Sequence, residues 1–183
     1  NLFPSETAVV GPFATWDHTY RVRINTSSDG AAITENVYNF PLLIRLSSDF
    51  KNAMPNGEDL RFSKPDGTIL SYEIERWDNS ADSAEVWVLM PIIYGYDSTS
   101  FIMYWGNTSA TDRSNGEAVF GTDNGFAGVW HLKDNNYEDA TANSNDGTDN
   151  VSATGTTGII GKGQDFNGTT DYVNVSHHPS LRM

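Results

Sequence analysis

Two glutamates separated by one residue, Glu73 and Glu75 in Tyr72-Glu73-Ile74-Glu75-Arg76-Trp77, come nearest in type and spacing to catalytic chemistry. On a strand, positions i and i+2 point to one face with alpha carbons about 6.5 to 7 Å apart. Carboxyl groups paired at about 5 to 9 Å are what glycoside hydrolysis uses. A glycoside-active enzyme working through Glu73 and Glu75 is therefore one reading. The bland alternative is a solvated strand face on which the acids pair with Arg61, Arg45 or Arg21. The alternative is favoured, because no other motif supplies a pocket. The chain has no Gly-x-Ser-x-Gly elbow and no Ser-His-Asp order, and Gly158 to Gly163 lacks phosphate-loop spacing.

Oxygen-bearing side chains crowd a second segment, where Asp134, Asp139, Asn143, Asn145, Asp146 and Asp149 fall within one loop. A hard cation such as calcium takes about six to eight oxygens, so Asp134, Asp139, Asn145 and Asp146 are the candidate ligands. Asn and Asp are equally the residues that close turns on their own backbone. His177 and His178, with His18 and His131, are the residues that could suggest a transition metal, but adjacent side chains point opposite ways on an extended segment, which argues against a shared ion.

Five tryptophans are the remaining surplus. Flat aromatic rings stack on sugars and also fill sandwich cores. Strand alternation puts Trp87 opposite in facing to Val86, Val88 and Met90, and puts Trp77 on the Glu73–Glu75 side. If the valines are core, Trp77, Trp87, Glu73, Glu75 and Arg61 form a candidate glycan-binding platform. The competing expectation is that the C-terminal part of the chain packs over this face and buries it.

The elements that must position these residues read as strands. The 183-residue chain is 38% hydrophobic, with 16 Gly and no Cys, so disulfides and thiolate metal sites are excluded. Eleven basic against 24 acidic side chains leave a net charge of -13, which would repel nucleic acid and anionic membranes at long range. No apolar run approaches a membrane span. The polar, acidic, Lys-poor composition and the start at Asn1 point to an exported protein, extracellular or at the cell surface.

Period-two alternation predicts strands at Tyr20–Ile24, Val37–Phe40, Leu42–Leu46, Leu60–Phe62, Ile69–Trp77, Glu85–Met90 and Phe101–Trp105, the last apolar on both faces as a strand between two layers would be. Thr108–Asn115 reads as a linker or long loop. The predicted organisation is an N-terminal extension (1–14), a β-sandwich domain (15–117) and a smaller β unit (118–183).

Residues 18–106 resemble a prokaryotic domain family of unknown function that precedes laminin-G/concanavalin-like modules in secreted proteins. The resemblance is carried by Tyr20-Arg21-Val22, Asn39-Phe40-Pro41, Gly57-Glu58-Asp59-Leu60-Arg61-Phe62, the Tyr72–Trp77 segment, Ala84-Glu85-Val86-Trp87-Val88 and Met103-Tyr104-Trp105-Gly106-Asn107. Residues 126–181 look like the opening of a laminin-G/concanavalin-like sandwich, through Val129-Trp130-His131-Leu132, Asp139-Ala140-Thr141 and Asp165-Phe166-Asn167-Gly168. The expected fold is all-β: an antiparallel jelly-roll-like β-sandwich plus a partial concanavalin/laminin-G-like unit. The resemblance implies an accessory or recognition role at the cell surface; taken with the aromatic face and the acidic loop, the expected function is non-catalytic recognition, with a glycan or cell-surface polysaccharide as ligand and calcium as a candidate structural ion. The alternative is a subunit of an extracellular filament or surface layer, completed by strand addition from another copy.

Overall fold

The computed structural model describes residues 11–47, 53, 55–133, 135–151 and 153–182. Among them are ten strands, one four-residue helix and two short 3-10 turns, so the fold is all-β as expected. Six strands build the sandwich: β1 (His18–Asn25), β2 (Val37–Ser47), β3 (Arg61–Ser63), β4 (Tyr72–Asp78), β5 (Ser83–Ile93) and β6 (Ser98–Trp105). They form two antiparallel sheets, in the orders β1-β6-β3 and β2-β5-β4.

The core lies between these sheets and follows the alternation read in the sequence. Val86, Val88 and Met90 of β5 are at most 1% exposed and meet Phe62, Phe101 and Met103 from the other sheet. Removing such side chains from water is the main favourable contribution to folding, about 1.5 to 3 kcal/mol for each large one. Phe101–Trp105 is buried along its whole length. Phe101, Met103 and Trp105 fill the core. On the opposite face Tyr104 is covered by the segment before β1, where Phe13 meets its ring edge-on at 5.1 Å and a side chain at Gly11 would strike its hydroxyl.

Two expected strands, Val37–Phe40 and Leu42–Leu46, are one strand, β2, running through Pro41. The proline is tolerated because β2 is an edge strand. The segment expected as a linker is tied down. Arg61 Nη2 donates to the Thr111 carbonyl at 2.6 Å, the Ile74 amide donates to Ser114 Oγ at 2.8 Å, and the Asn115 amide donates to the Tyr72 carbonyl at 2.8 Å. Residues 114–115 thus occupy the outer edge of β4. A short helix follows, α1 (Gly116–Val119), capped by Asn115 Oδ1 accepting from the Ala118 amide. Ala118, the expected boundary, falls inside it.

Beyond α1 lie two antiparallel ribbons: β7 (Gly147–Asn150) with β10 (Tyr172–Val175), and β8 (Ala153–Thr157) with β9 (Lys162–Asp165). No helix among the described residues is long and apolar enough to cross a membrane.

Candidate functional site

The outward face of the β2-β5-β4 sheet carries the residues singled out by chemistry. Trp87 of β5 stands directly opposite Glu73 of β4 and Leu43 of β2. The β4–β5 register then slips after Ile74, so that Glu75 and Arg76 together oppose Glu85, and Trp77 opposes Ala84. This is a β-bulge, in which one extra residue turns every later side chain to the other face. Glu73 and Glu75 face outward together by alternation, and the bulge adds Arg76 to that face, its Nε 2.6 Å from Glu85 Oε2.

Trp77 departs from the sequence expectation for the same reason. Downstream of the bulge it is turned toward the core and packs against its cluster. Its ring lies against Gly57, where an added Cβ would come within 2.7 Å of the indole. Gly57 also has φ +72, so both space and backbone conformation call for glycine. Trp77 belongs to the packing rather than to an outer platform.

Arg61 is likewise elsewhere. It lies on β3, in the other sheet, and is 5% exposed. Its guanidinium donates to the Glu58, Leu60 and Thr111 carbonyls and to the Tyr72 hydroxyl, and it lies over the Trp16 ring. A buried cation is tolerated when its donors are satisfied this way. The expected Glu–Arg61 pairing is not formed. Arg45, opposite Glu85, donates to the Ile159 carbonyl, and Arg21 to Ser100.

The partner of the glutamates is His131, 58 residues away from Glu73 in sequence. Its Nε2 lies 3.0 Å from Glu73 Oε2, and its Nδ1 makes a still closer contact with Glu75 Oε2. Glu75 Oε2 also accepts the Trp87 indole N–H at 3.0 Å. Side-chain exposure is 12% for His131, 13% for Glu73 and 2% for Glu75. Phe120 seals the group, edge-on to Trp87 with centroids 5.7 Å apart and tilted over the His131 ring at the same separation. Gly116 lets α1 approach, since a Cβ there would sit 2.9 Å from Glu73 Oε1. The loop between β8 and β9 adds Gly161, whose Cβ position is 3.6 Å from Glu75 Cγ and Arg76 Cβ. The C-terminal part of the chain thus packs over the face that the platform reading left open.

Electrostatics fix the protonation of this group. Burial alone would lower the His131 pKa, but its hydrogen bonds to Glu73 and Glu75, and their negative charge, overcome that and raise it to about 9. Burial would raise that of Glu75, but the hydrogen bond and charge of His131, with the Trp87 indole, hold it below the ordinary carboxylate value. At neutral pH the centre is an imidazolium held between carboxylates. Both ring nitrogens are committed as donors, and no buried side-chain nitrogen or oxygen among the described residues lacks a partner. Such a group clamps two parts of a chain together. It offers neither an accessible proton donor nor a free nucleophile.

In the acidic loop, Asp139 is the centre. Its Oδ1 accepts the Val129 and Thr141 amides at 2.9 Å each, and its Oδ2 accepts the Asn145 amide at 3.0 Å and the Thr141 hydroxyl at 2.8 Å. Asp146 Oδ1 accepts the Asp139 amide, and the Asn145 side-chain amide donates to the Ala127 carbonyl and to Ser180. Three of the four expected ligands are brought together, but the lone pairs of Asp139 are spent on protein donors. Asp134 lies outside the described residues. Among those described, no group of three His, Cys, Asp or Glu could hold a metal ion.

Sequence reasoning missed His131 as partner of the glutamates. The available signal was a titratable residue inside the apolar run Val129-Trp130-His131-Leu132.

No curated protein and no solved structure matches the chain. The stretch from the turn before β3 through His131 and Lys133, residues 56–133, matches the family model described as Domain of unknown function (DUF2341).

Proposed function

We propose that the chain is a non-catalytic recognition module of a secreted or surface-attached protein, with glycans as its ligand class. The observation that carries this reading is the closure of the Glu73–His131–Glu75 group, whose side chains are paired and covered. Acid–base or nucleophilic work there would first require the clasp to open. Exposed aromatic surface lies elsewhere and is largely tyrosine: Tyr20, Tyr38, Tyr94, Tyr96 and Tyr172. A phenol ring joins a flat apolar face to a hydroxyl that stays in water, which suits a sugar. Electrophoresis of the whole chain through native gels containing soluble polysaccharides tests the reading. Retardation by a polysaccharide is expected, and hydrolysis of that polysaccharide by the chain would overturn the non-catalytic assignment.

A second reading, assembly by strand addition, draws support from the two ribbons. Each has only two strands, and they or their loops expose Ile159 (91%), Phe166 and Tyr172. Isolated two-stranded ribbons are marginal. Growth into long assemblies in sedimentation velocity would put this reading first.

A further inference from the structure

We propose that Tyr38, Tyr94 and Tyr96 form a binding site for a neutral polysaccharide chain at one end of the sandwich, an inference that rests on the recognition reading above. The three rings are 64%, 46% and 60% exposed. Tyr38 is paired across the sheet with Ile92, two residues before Tyr94, so all three belong to the end of the sandwich where β5 turns into β6.

That end is held rigidly from beneath. Thr26, fully buried, donates its hydroxyl to the Tyr94 carbonyl at 2.5 Å and accepts the Asp97 amide at 3.0 Å. The Tyr94 amide donates to Thr99 Oγ1 at 3.0 Å, and the Tyr96 amide to the Ile33 carbonyl at 2.8 Å. Asn36 joins the two halves, its Oδ1 accepting the Gly95 amide at 3.0 Å while its amide nitrogen lies 3.4 Å from the Tyr38 hydroxyl. Gly95 permits this closeness, because a Cβ there would collide with the Thr34 carbonyl.

Tyr96 has φ +49, a left-handed conformation that bulky residues seldom adopt. Packing does not require a ring there, since Tyr96 is mostly exposed. A strained backbone presenting an aromatic side chain to solvent is the pattern of a residue kept for what it touches. Three exposed rings on one fixed framework meet a ligand with little ordering cost. The nearby acids Glu35 and Asp97 are exposed, and the chain carries -13 overall. An anionic polymer would be repelled, which selects a neutral sugar chain.

Affinity electrophoresis of the whole chain, with galactomannan and xyloglucan as neutral probes and polygalacturonate as the anionic one, tests the site. Tyr96→Asn removes the ring with a residue that tolerates the left-handed conformation, Tyr38→Ser removes a second, and Tyr172→Ala on β10 is the control. Unchanged circular dichroism checks that each variant is folded. The expected result is retardation by a neutral polymer only, reduced about tenfold or more in affinity by the Tyr38/Tyr96 double substitution and untouched by the control. Retention that survives loss of these rings overturns the site and leaves the recognition reading standing. A wild-type chain retarded by neither neutral polymer overturns both. Concentration-dependent dimerisation abolished by the same double substitution assigns the patch to a second copy and overturns the site.

Discussion

The Trp87 indole donates to Glu75 Oε2 at 3.0 Å, although the residue directly across the sheet from Trp87 is Glu73. Alternation puts both glutamates on the face of Trp87, the bulge after Ile74 adds Arg76 to that face, and His131 closes over the glutamates and the indole. The clasp therefore rests on ordinary strand alternation in β4, and its removal should be felt across the whole face.

His131→Ala is expected to destabilise the chain by about 3 kcal/mol, since it leaves two carboxylates facing each other in a covered site. Urea denaturation measures this. In a double-mutant cycle with Glu75→Gln, the combined loss should fall well short of the sum of the single losses.

The pH dependence follows from the same group. The pKa of His131 is raised in the folded chain to about 9 from 6.5, so its contribution is complete below pH 6.5 and is lost as pH rises through about 9. Glu75 and Asp139 are depressed, so theirs are present above their ordinary values of 4.5 and 3.8 and are lost as pH falls through the lowered ones. Melting temperature should be highest near pH 5 to 6.5. His131→Gln should flatten the alkaline decline. An unchanged alkaline limb in that variant would remove His131 as its cause.

The strand pattern was readable where one side of a sheet meets the core and the other does not. Val86, Val88 and Met90 point inward as alternation requires, and the doubly apolar Phe101–Trp105 is covered on both sides. Alternation misplaces Trp77 because nothing in Glu73-Ile74-Glu75-Arg76, no glycine or proline, marks the bulge that reverses the facing of later residues. Residue types alone place Arg61 among the surface charges, because its compensation comes from the carbonyls of Glu58, Leu60 and Thr111, which residue types do not show. The His131 partnership spans 58 residues and depends on how the C-terminal part docks, which local pattern does not encode.

Trp77 and Trp87 should matter to stability and not to sugar retention. Trp77→Ala is expected to cost about 3 to 5 kcal/mol, as large-to-small changes at packed aromatic sites do. A folded Trp77→Ala or Trp87→Ala chain that loses polysaccharide retention at unchanged stability would return the binding surface to this face.

Asp139→Asn should loosen residues 127–145, because one oxygen of the side chain becomes a donor facing amides that need acceptors. A loss of about 1 to 3 kcal/mol is expected, read by thermal melting. Wild-type melting should be the same with calcium and with chelator, since the Asp139 oxygens already accept four protein hydrogen bonds. A rise in melting temperature on adding calcium would show that the loop binds it.

Strand β4 is gripped along two directions at once. Its edge, through the Tyr72 carbonyl and the Ile74 amide, is bonded to residues 114–115, while its face, through Glu73 and Glu75, is bonded to His131. Tension between the sandwich and the ribbons would have to shear both rows of bonds together. The chain would transmit force as a single stiff link, giving way in one step and not by the swinging of two beads on a string.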